Sequence, residues 1–74
     1  MEKEYIKFVI CYDFGIFLNS LDLACDEAYT LADKIADKYI EFAKEQNLCM
    51  CYDELYSFCE GISFSDIWKE IKGY

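Results

Sequence analysis

A long stretch without glycine or proline does most to limit what this chain can fold into. No glycine lies between Gly15 and Gly61, and the chain contains no proline at all. Inside this stretch, apolar residues recur at the three- and four-residue spacing of an amphipathic helix. That apolar set is Leu21, Ala24, Cys25, Ala28, Leu31, Ala32, Ile35, Tyr39, Phe42 and Ala43. Since Asn19 and Ser20 are both good N-cap residues, we predict one helix that starts there and ends near Gln46.

The residues before this helix have the composition of strands. Residues 4–18 are rich in Ile, Val, Phe, Tyr and Cys, which are types that suit a pleated, half-buried surface. The triplet Asp-Phe-Gly at 13–15 is a plausible turn, so the segment predicts a short β-hairpin with strands at about 5–11 and 16–18. A buried helix is the alternative, because one helical face would also collect Tyr5, Phe8, Val9, Tyr12 and Ile16.

Two shorter helices are predicted beyond an extended link or third strand at 48–52. Asp53 can cap the first, and Gly61 can end it. Ser63 and Asp66 form a capping-box pattern at the start of the second, which Gly73 ends. The predicted fold is therefore α+β, with an N-terminal hairpin packed on one long helix and two short C-terminal helices, in a single domain covering residues 1–74. A small all-α bundle is the alternative.

The charge balance limits the choice of partners. Fifteen Asp and Glu face seven Lys, which gives a formal net charge of −8. Such an excess repels nucleic acid and anionic membranes, and direct nucleic-acid binding first requires a basic surface. We therefore expect neither nucleic acid nor membrane as a direct partner, and we expect attraction to the basic surface of a nucleic-acid-handling protein. The alternative is that the acidity serves solubility alone.

The five cysteines indicate free thiols in a cytoplasmic protein. An odd number argues against a complete disulfide framework. Cys49 and Cys51, with Cys59 and Cys25, fit the spacing of structural zinc sites poorly, so no metal is predicted. No apolar run approaches the roughly 20 residues that a membrane helix needs.

Enzymatic activity is not expected from this sequence. The chain contains no His, no Arg, no Gly-rich phosphate loop and no nucleophile elbow. Carboxylates are plentiful, but hydrolases and transferases also need a pocket and a group that stabilises the developing charge. We therefore predict no catalytic residues and no cofactor.

One surface of the predicted long helix carries a row of like charges. Projection at 100° per residue places Asp22, Asp26, Asp33 and Asp37 on a narrow arc, with Tyr29 beside them. Aligned like charges destabilise a helix by a few tenths of a kcal/mol per pair. A row of roughly 22 Å resembles the charge pattern that a basic groove meets on a phosphate backbone. These five residues are the predicted partner-binding site; a merely solvated face is the alternative.

These observations favour a stoichiometric protein-binding module, in particular an inhibitor that occupies a basic nucleic-acid-binding site. In size and charge the chain is similar to phage-encoded inhibitors of host defence such as anti-CRISPR proteins. The alternative is a structural or assembly protein that forms a homodimer through surface aromatics. The candidates for that role are Phe14, Phe17, Tyr52, Tyr56 and Trp68.

Overall fold

Five helices make up the computed structural model, which describes residues 2–73 except for the side chain of Phe17. They are α1 (Lys3–Asp13), α2 (Gly15–Ser20), α3 (Cys25–Glu45), α4 (Tyr52–Glu60) and α5 (Phe64–Lys72). None of residues 2–73 lies in a strand. The predicted α+β fold is therefore wrong, and the all-α alternative describes the protein.

The predicted N-terminal hairpin is replaced by α1 and α2. Ile6, Val9 and Ile10 follow the helical i, i+3, i+4 spacing and are buried in the core, and α1 packs against α3. A helix satisfies its backbone hydrogen bonds internally, whereas a two-stranded hairpin would leave the outer edge of each strand without partners. Strand propensity mainly reflects how a side chain packs, so packing against α3 overrides the β-like composition.

The predicted turn at 13–15 is a break between two helices. Phe14 has φ −114° and ψ 19°, outside the helical values of its neighbours. Its N–H still donates to the Ile10 carbonyl at 3.0 Å, and its carbonyl accepts from the Leu18 N–H at 3.1 Å. The buried Phe14 ring lies 5.0 Å from that of Tyr56 and 5.9 Å from that of Phe64. The chain therefore changes direction here around a core side chain.

The predicted long helix is present, but it begins later than Asn19 or Ser20. Asp22 adopts a left-handed backbone with φ 57°, which Asp tolerates better than most residues, and this interrupts the helix between α2 and α3. At the new start, the Glu27 carboxylate accepts a hydrogen bond from the Ala24 N–H at 3.1 Å. This contact satisfies one of the backbone donors that a helix N-terminus leaves open.

The core lies around α3. Leu31, Ile35 and Tyr39 are fully or almost fully buried, and the Tyr39 hydroxyl donates to the Cys51 carbonyl at 3.4 Å. The surrounding helices contribute the remaining buried side chains, which include Ile6, Val9, Ile10, Leu18, Leu55, Cys59, Phe64 and Ile67. The predicted apolar face is thus confirmed in part. Leu31, Ala32, Ile35, Tyr39 and Ala43 are buried, whereas Ala24, Cys25 and Phe42 are exposed and Leu21 lies before α3.

The predicted start and end of the last helix are confirmed. The Ser63 hydroxyl accepts from the Asp66 N–H at 3.3 Å, and Gly73 ends α5 in the left-handed conformation with φ 84°, which glycine adopts without steric cost. Lys38 on α3 lies 3.2 Å from the Glu70 carboxylate of α5. The α5 helix is therefore capped at its start, ended by Gly73, and linked to α3 through Glu70.

Candidate protein-binding site

The residues of the predicted acidic row are divided between two environments. Asp26, Tyr29, Asp33 and Asp37 lie on α3, as predicted. Asp22 does not, because it lies in the turn that precedes α3. The row is therefore shorter on the helix than the sequence indicates, and its first member belongs to a separate backbone segment.

Two lysines of α1 pair with the C-terminal half of the row. The Lys3 ammonium lies 2.8 Å from the Asp37 carboxylate and 3.2 Å from that of Asp33, and the Lys7 ammonium lies 3.3 Å from Asp33. The hydrogen bond from Lys3 holds the pKa of the Asp33 carboxyl below its usual range. The Lys3 ammonium donates hydrogen bonds to Asp37 and Asp33, and both raise the pKa of Lys3, the bond to Asp37 more strongly. These carboxylates therefore fix α1 against α3 and are already partly neutralised.

The N-terminal end of the row has no lysine partner among the described residues. Asp22 and Asp26 are both exposed, and within residues 2–73 neither carboxylate lies in an ion pair with a lysine. Tyr29 is exposed one helical turn after Asp26. Of the predicted binding residues, these three remain available to a partner without first breaking a contact inside the protein.

The outer face of α1 carries a row of exposed aromatic side chains. Tyr5, Phe8 and Tyr12 are 51%, 63% and 79% exposed, and Ile16, at the start of α2, is 82% exposed. The rings of Phe8 and Tyr12 stack at 6.0 Å between centroids with 15° between their planes. We call these four residues the α1 outer row.

A groove runs beside this row, between α1 and α3. A depression of about 510 Å³ is lined by Glu4, Lys7, Phe8, Cys11, Tyr12 and Tyr29. A second one of about 220 Å³ is lined by Cys11, Gly15, Leu18, Asn19, Cys25, Ala28 and Tyr29. Cys11 and Tyr29 line both, so the two depressions are neighbours, and we call them together the α1–α3 groove.

The α1 helix is thus apolar on two sides, and only one is covered. Ile6 and Ile10 face the core, whereas Phe8 and Tyr12 face outwards. A helix that is apolar around most of its circumference is normally buried, and clustered exposed apolar residues mark interaction sites in soluble proteins. The outer row and the groove are therefore the strongest candidate for a contact surface among the described residues.

The sequence pattern does not separate these two faces. The helical alternative to the predicted hairpin places Tyr5, Phe8, Val9, Tyr12 and Ile16 on one buried face. In the structure Val9 belongs to the core, and the other four form the outer row. The signal that distinguishes them is residue type: the core side carries aliphatic Ile6, Val9 and Ile10, whereas the outer side is mostly aromatic.

The aromatics predicted to mediate self-association do not form a single surface. Phe14 is buried in the core, and Trp68 is half-buried beneath the Lys72 ammonium at 5.0 Å. Tyr52 and Tyr56 are partly exposed on α4, with ring centroids 6.1 Å apart. The prediction for the Phe17 side chain falls outside what the structure describes.

The tyrosine pair on α4 is linked to the end of α1. The Tyr52 hydroxyl donates to the Asp13 carboxylate, and this hydrogen bond is the main cause that raises the pKa of Tyr52 to about 12. An anionic acceptor favours the protonated phenol, because loss of the proton would bring two negative charges together. The contact ties α4 to α1 across 39 residues of sequence.

The cysteines divide by exposure. Cys25, Cys49 and Cys51 are exposed, whereas Cys11 is half-buried in the groove and Cys59 lies in the core. Burial raises the pKa of the Cys59 thiol to about 12. Among residues 2–73, no three His, Cys, Asp or Glu side chains are grouped closely enough to hold a metal ion.

No described helix combines the length and the apolar character required to cross a membrane. Comparisons of the chain with protein-family models, with curated proteins and with solved structures found no match.

Proposed function

We propose that this chain is a small acidic protein-binding module that acts stoichiometrically by covering a basic surface of another protein. The observation that carries the proposal is the uncovered aromatic outer row of α1, which lies within a surface of net negative charge. Aromatic residues provide contact area at low entropic cost and are enriched in protein interfaces. The acidic surroundings select for a partner of opposite charge.

The distribution of charge supports a basic partner. Lys3, Lys7, Lys38 and Lys72 each lie within ion-pairing distance of a carboxylate of this chain. Fifteen acidic residues face only seven lysines, so carboxylates remain in excess after these pairs have formed. This excess accelerates encounter with positively charged surfaces and disfavours encounter with negatively charged ones.

The proposed contact surface differs from the acidic row predicted from the sequence. It keeps Asp22, Asp26 and Tyr29, and adds Phe8 and Tyr12. Asp33 and Asp37 contribute less, because a partner lysine or arginine would have to compete with Lys3 for them. The basic surface that such a site fits best is one that otherwise binds nucleic acid, and covering it makes the module an inhibitor.

The proposal is tested by capturing the partner at low salt, identifying it, and titrating it directly. We expect one-to-one binding that weakens as salt rises, because charges on a protein surface are screened over about 10 Å at 0.1 M. We also expect the partner's nucleic acid and this protein to exclude each other. Simultaneous binding of both would overturn the inhibitory part of the proposal.

A pair of double variants tests whether binding depends on particular acidic residues or only on the overall negative charge. Asp22→Lys with Asp26→Lys reverses the free end of the row. Glu41→Lys with Glu45→Lys makes the same change in net charge at exposed positions near the other end of α3, about 22 Å away along the helix axis. We expect the first double variant to weaken binding much more than the second. Equal weakening by both would mean that charge acts without a defined site.

A further inference from the structure

We infer that the α1–α3 groove binds a basic amphipathic helix of the partner protein, whose apolar side chains insert between Phe8, Tyr12 and Tyr29. This inference rests on the proposed function and specifies what its contact surface recognises. It is carried by the shape of the groove, the absence of strands from the described fold, and the charges along the rim.

The groove and the outer row have the dimensions of a helix contact. The part of the row on α1, from Tyr5 to Tyr12, extends about 10 Å along the helix direction, which is about two turns of a partner helix. Its three members on α1 are spaced i, i+3 and i+7, which is the spacing by which helices present anchors to one another. Between the row and Tyr29, the groove provides about 510 Å³ beside Phe8, enough for large apolar side chains.

A helix fits this surface better than an extended peptide. Extended peptides commonly bind by adding a strand to an exposed sheet edge, where main-chain groups lack partners. Residues 2–73 contain no strand, and α1 forms its backbone hydrogen bonds within itself. Recognition here must therefore come from side chains, and helices pack on helices by setting ridges of side chains into grooves.

The rim of the groove favours basic residues on that helix. Among the described residues that line the 510 Å³ depression, Glu4 and Lys7 are charged, and their side chains lie 3.5 Å apart. Lys7 also lies 3.3 Å from the Asp33 carboxylate, so it is already paired with carboxylates of this chain. Asp26 lies one helical turn before Tyr29 on α3, and among residues 2–73 no lysine pairs with it. The groove therefore has an unpaired carboxylate beside it, in a protein of net charge −8.

The same charges disfavour a second copy of this chain as the occupant. If two α1 helices packed in parallel through their outer rows, Glu4 would face Glu4. If they packed antiparallel, Glu4 would approach Asp13 of the other copy, because Tyr5 and Tyr12 mark the two ends of the exposed aromatic face. Both arrangements juxtapose carboxylates between molecules that each carry a net charge of −8, which opposes association.

The rates at which the cysteine thiols are alkylated report whether the groove is occupied. Cys11 and Cys25 line the groove, whereas Cys49 and Cys51 lie in the link between α3 and α4. The probe is a helical Leu/Lys peptide of about 14 residues, about 21 Å long, with Leu on one face. Its control has Ser in place of every Leu and keeps the same charge. The readout is the rate at which iodoacetamide modifies each thiol, followed by peptide mass spectrometry.

We expect the Leu/Lys peptide to slow modification of Cys11 about tenfold when it is present at about ten times its Kd. Cys49 should react at an unchanged rate, and the Ser/Lys peptide should protect neither thiol. Phe8→Ser with Tyr12→Ser should abolish the protection. Leu48→Ser, which removes an exposed apolar side chain from the α3–α4 link, should retain it.

Three outcomes would overturn the inference. Equal protection of Cys11 by both peptides would mean that charge alone is recognised. If neither peptide protects Cys11, the groove binds no such helix. Protection of Cys11 that rises with protein concentration, without peptide, would identify a second copy as the occupant. None of these results depends on the Asp22 and Asp26 variants, so failure here is distinguishable from failure of the proposed function.

Discussion

The two faces of α1 allow the assignment of core and contact surface to be tested by a pair of single substitutions. Ile10 is completely buried on the core face, and Phe8 is 63% exposed on the outer face, although the two residues lie only two positions apart. We compare Ile10→Ala with Phe8→Ala. We expect the loss of the smaller side chain, that of Ile10, to cost more.

The expected costs follow from burial. Truncation of a buried Ile to Ala costs about 2–5 kcal/mol, a large part of the roughly 4–11 kcal/mol expected for a domain of this size. Phe8 covers little more than a third of its surface, or about 70 Å² of a ring-bearing side chain of roughly 200 Å². At about 25 cal/mol per Å², this burial contributes about 2 kcal/mol. Ala keeps part of it and improves helix propensity by about 0.5 kcal/mol, so we expect a cost of about 1 kcal/mol.

The assay is unfolding in urea, monitored by circular dichroism. The free energies of unfolding of both variants and of the original protein are compared with one common slope of free energy against urea concentration. Ile10→Ala should cost at least twice as much as Phe8→Ala. Equal costs would refute the assignment, because Phe8 would then have to be covered in the isolated protein. Repeating the measurement at several protein concentrations would reveal whether another copy covers it.

Three further predictions concern the cap, the thiols and the tyrosine contact. Ser63→Ala should lower the free energy of unfolding by about 1 kcal/mol, measured by urea unfolding; no loss would mean that the cap contributes nothing. At pH 8 iodoacetamide should modify Cys49 long before Cys59, whose pKa is raised to about 12 by burial; equal rates, measured by mass spectrometry, would contradict this. In Asp13→Ala the pKa of Tyr52 should fall from about 12 towards the ordinary value of about 10, as followed by NMR titration of the ring; an unchanged pKa would exclude Asp13 as its cause.

Local patterns in the sequence were sufficient for most of α3 and for α5. The apolar residues of α3 recur at one angular position over many turns, so its buried face follows from spacing alone. Ser63 and Gly73 act on backbone groups within a few residues of themselves. Features of this kind are readable from sequence because the interacting groups are neighbours in the chain.

The N-terminal segment required the tertiary structure. Its Ile, Val, Phe and Tyr residues suit a strand and a helix almost equally, and periodicity does not separate the two in so apolar a stretch. Packing of Ile6, Val9 and Ile10 against α3 decided in favour of α1. The same decision turned Phe8 and Tyr12 outwards, so the candidate contact surface exists only because that helix forms.

The acidic row shows the same division between local and distant effects. Its alignment on α3 followed from helical spacing, apart from Asp22, whose left-handed backbone lies in the turn before the start of α3. The neutralisation of Asp33 and Asp37 depended on Lys3 and Lys7, which lie about thirty residues earlier in the sequence and reach them only when α1 packs on α3. The sequence by itself determined how many charges the protein carries and which of them share a helix face. Tertiary packing determined which stay unpaired, because ion pairing depends on distance in space, whereas helical spacing depends only on position along the chain.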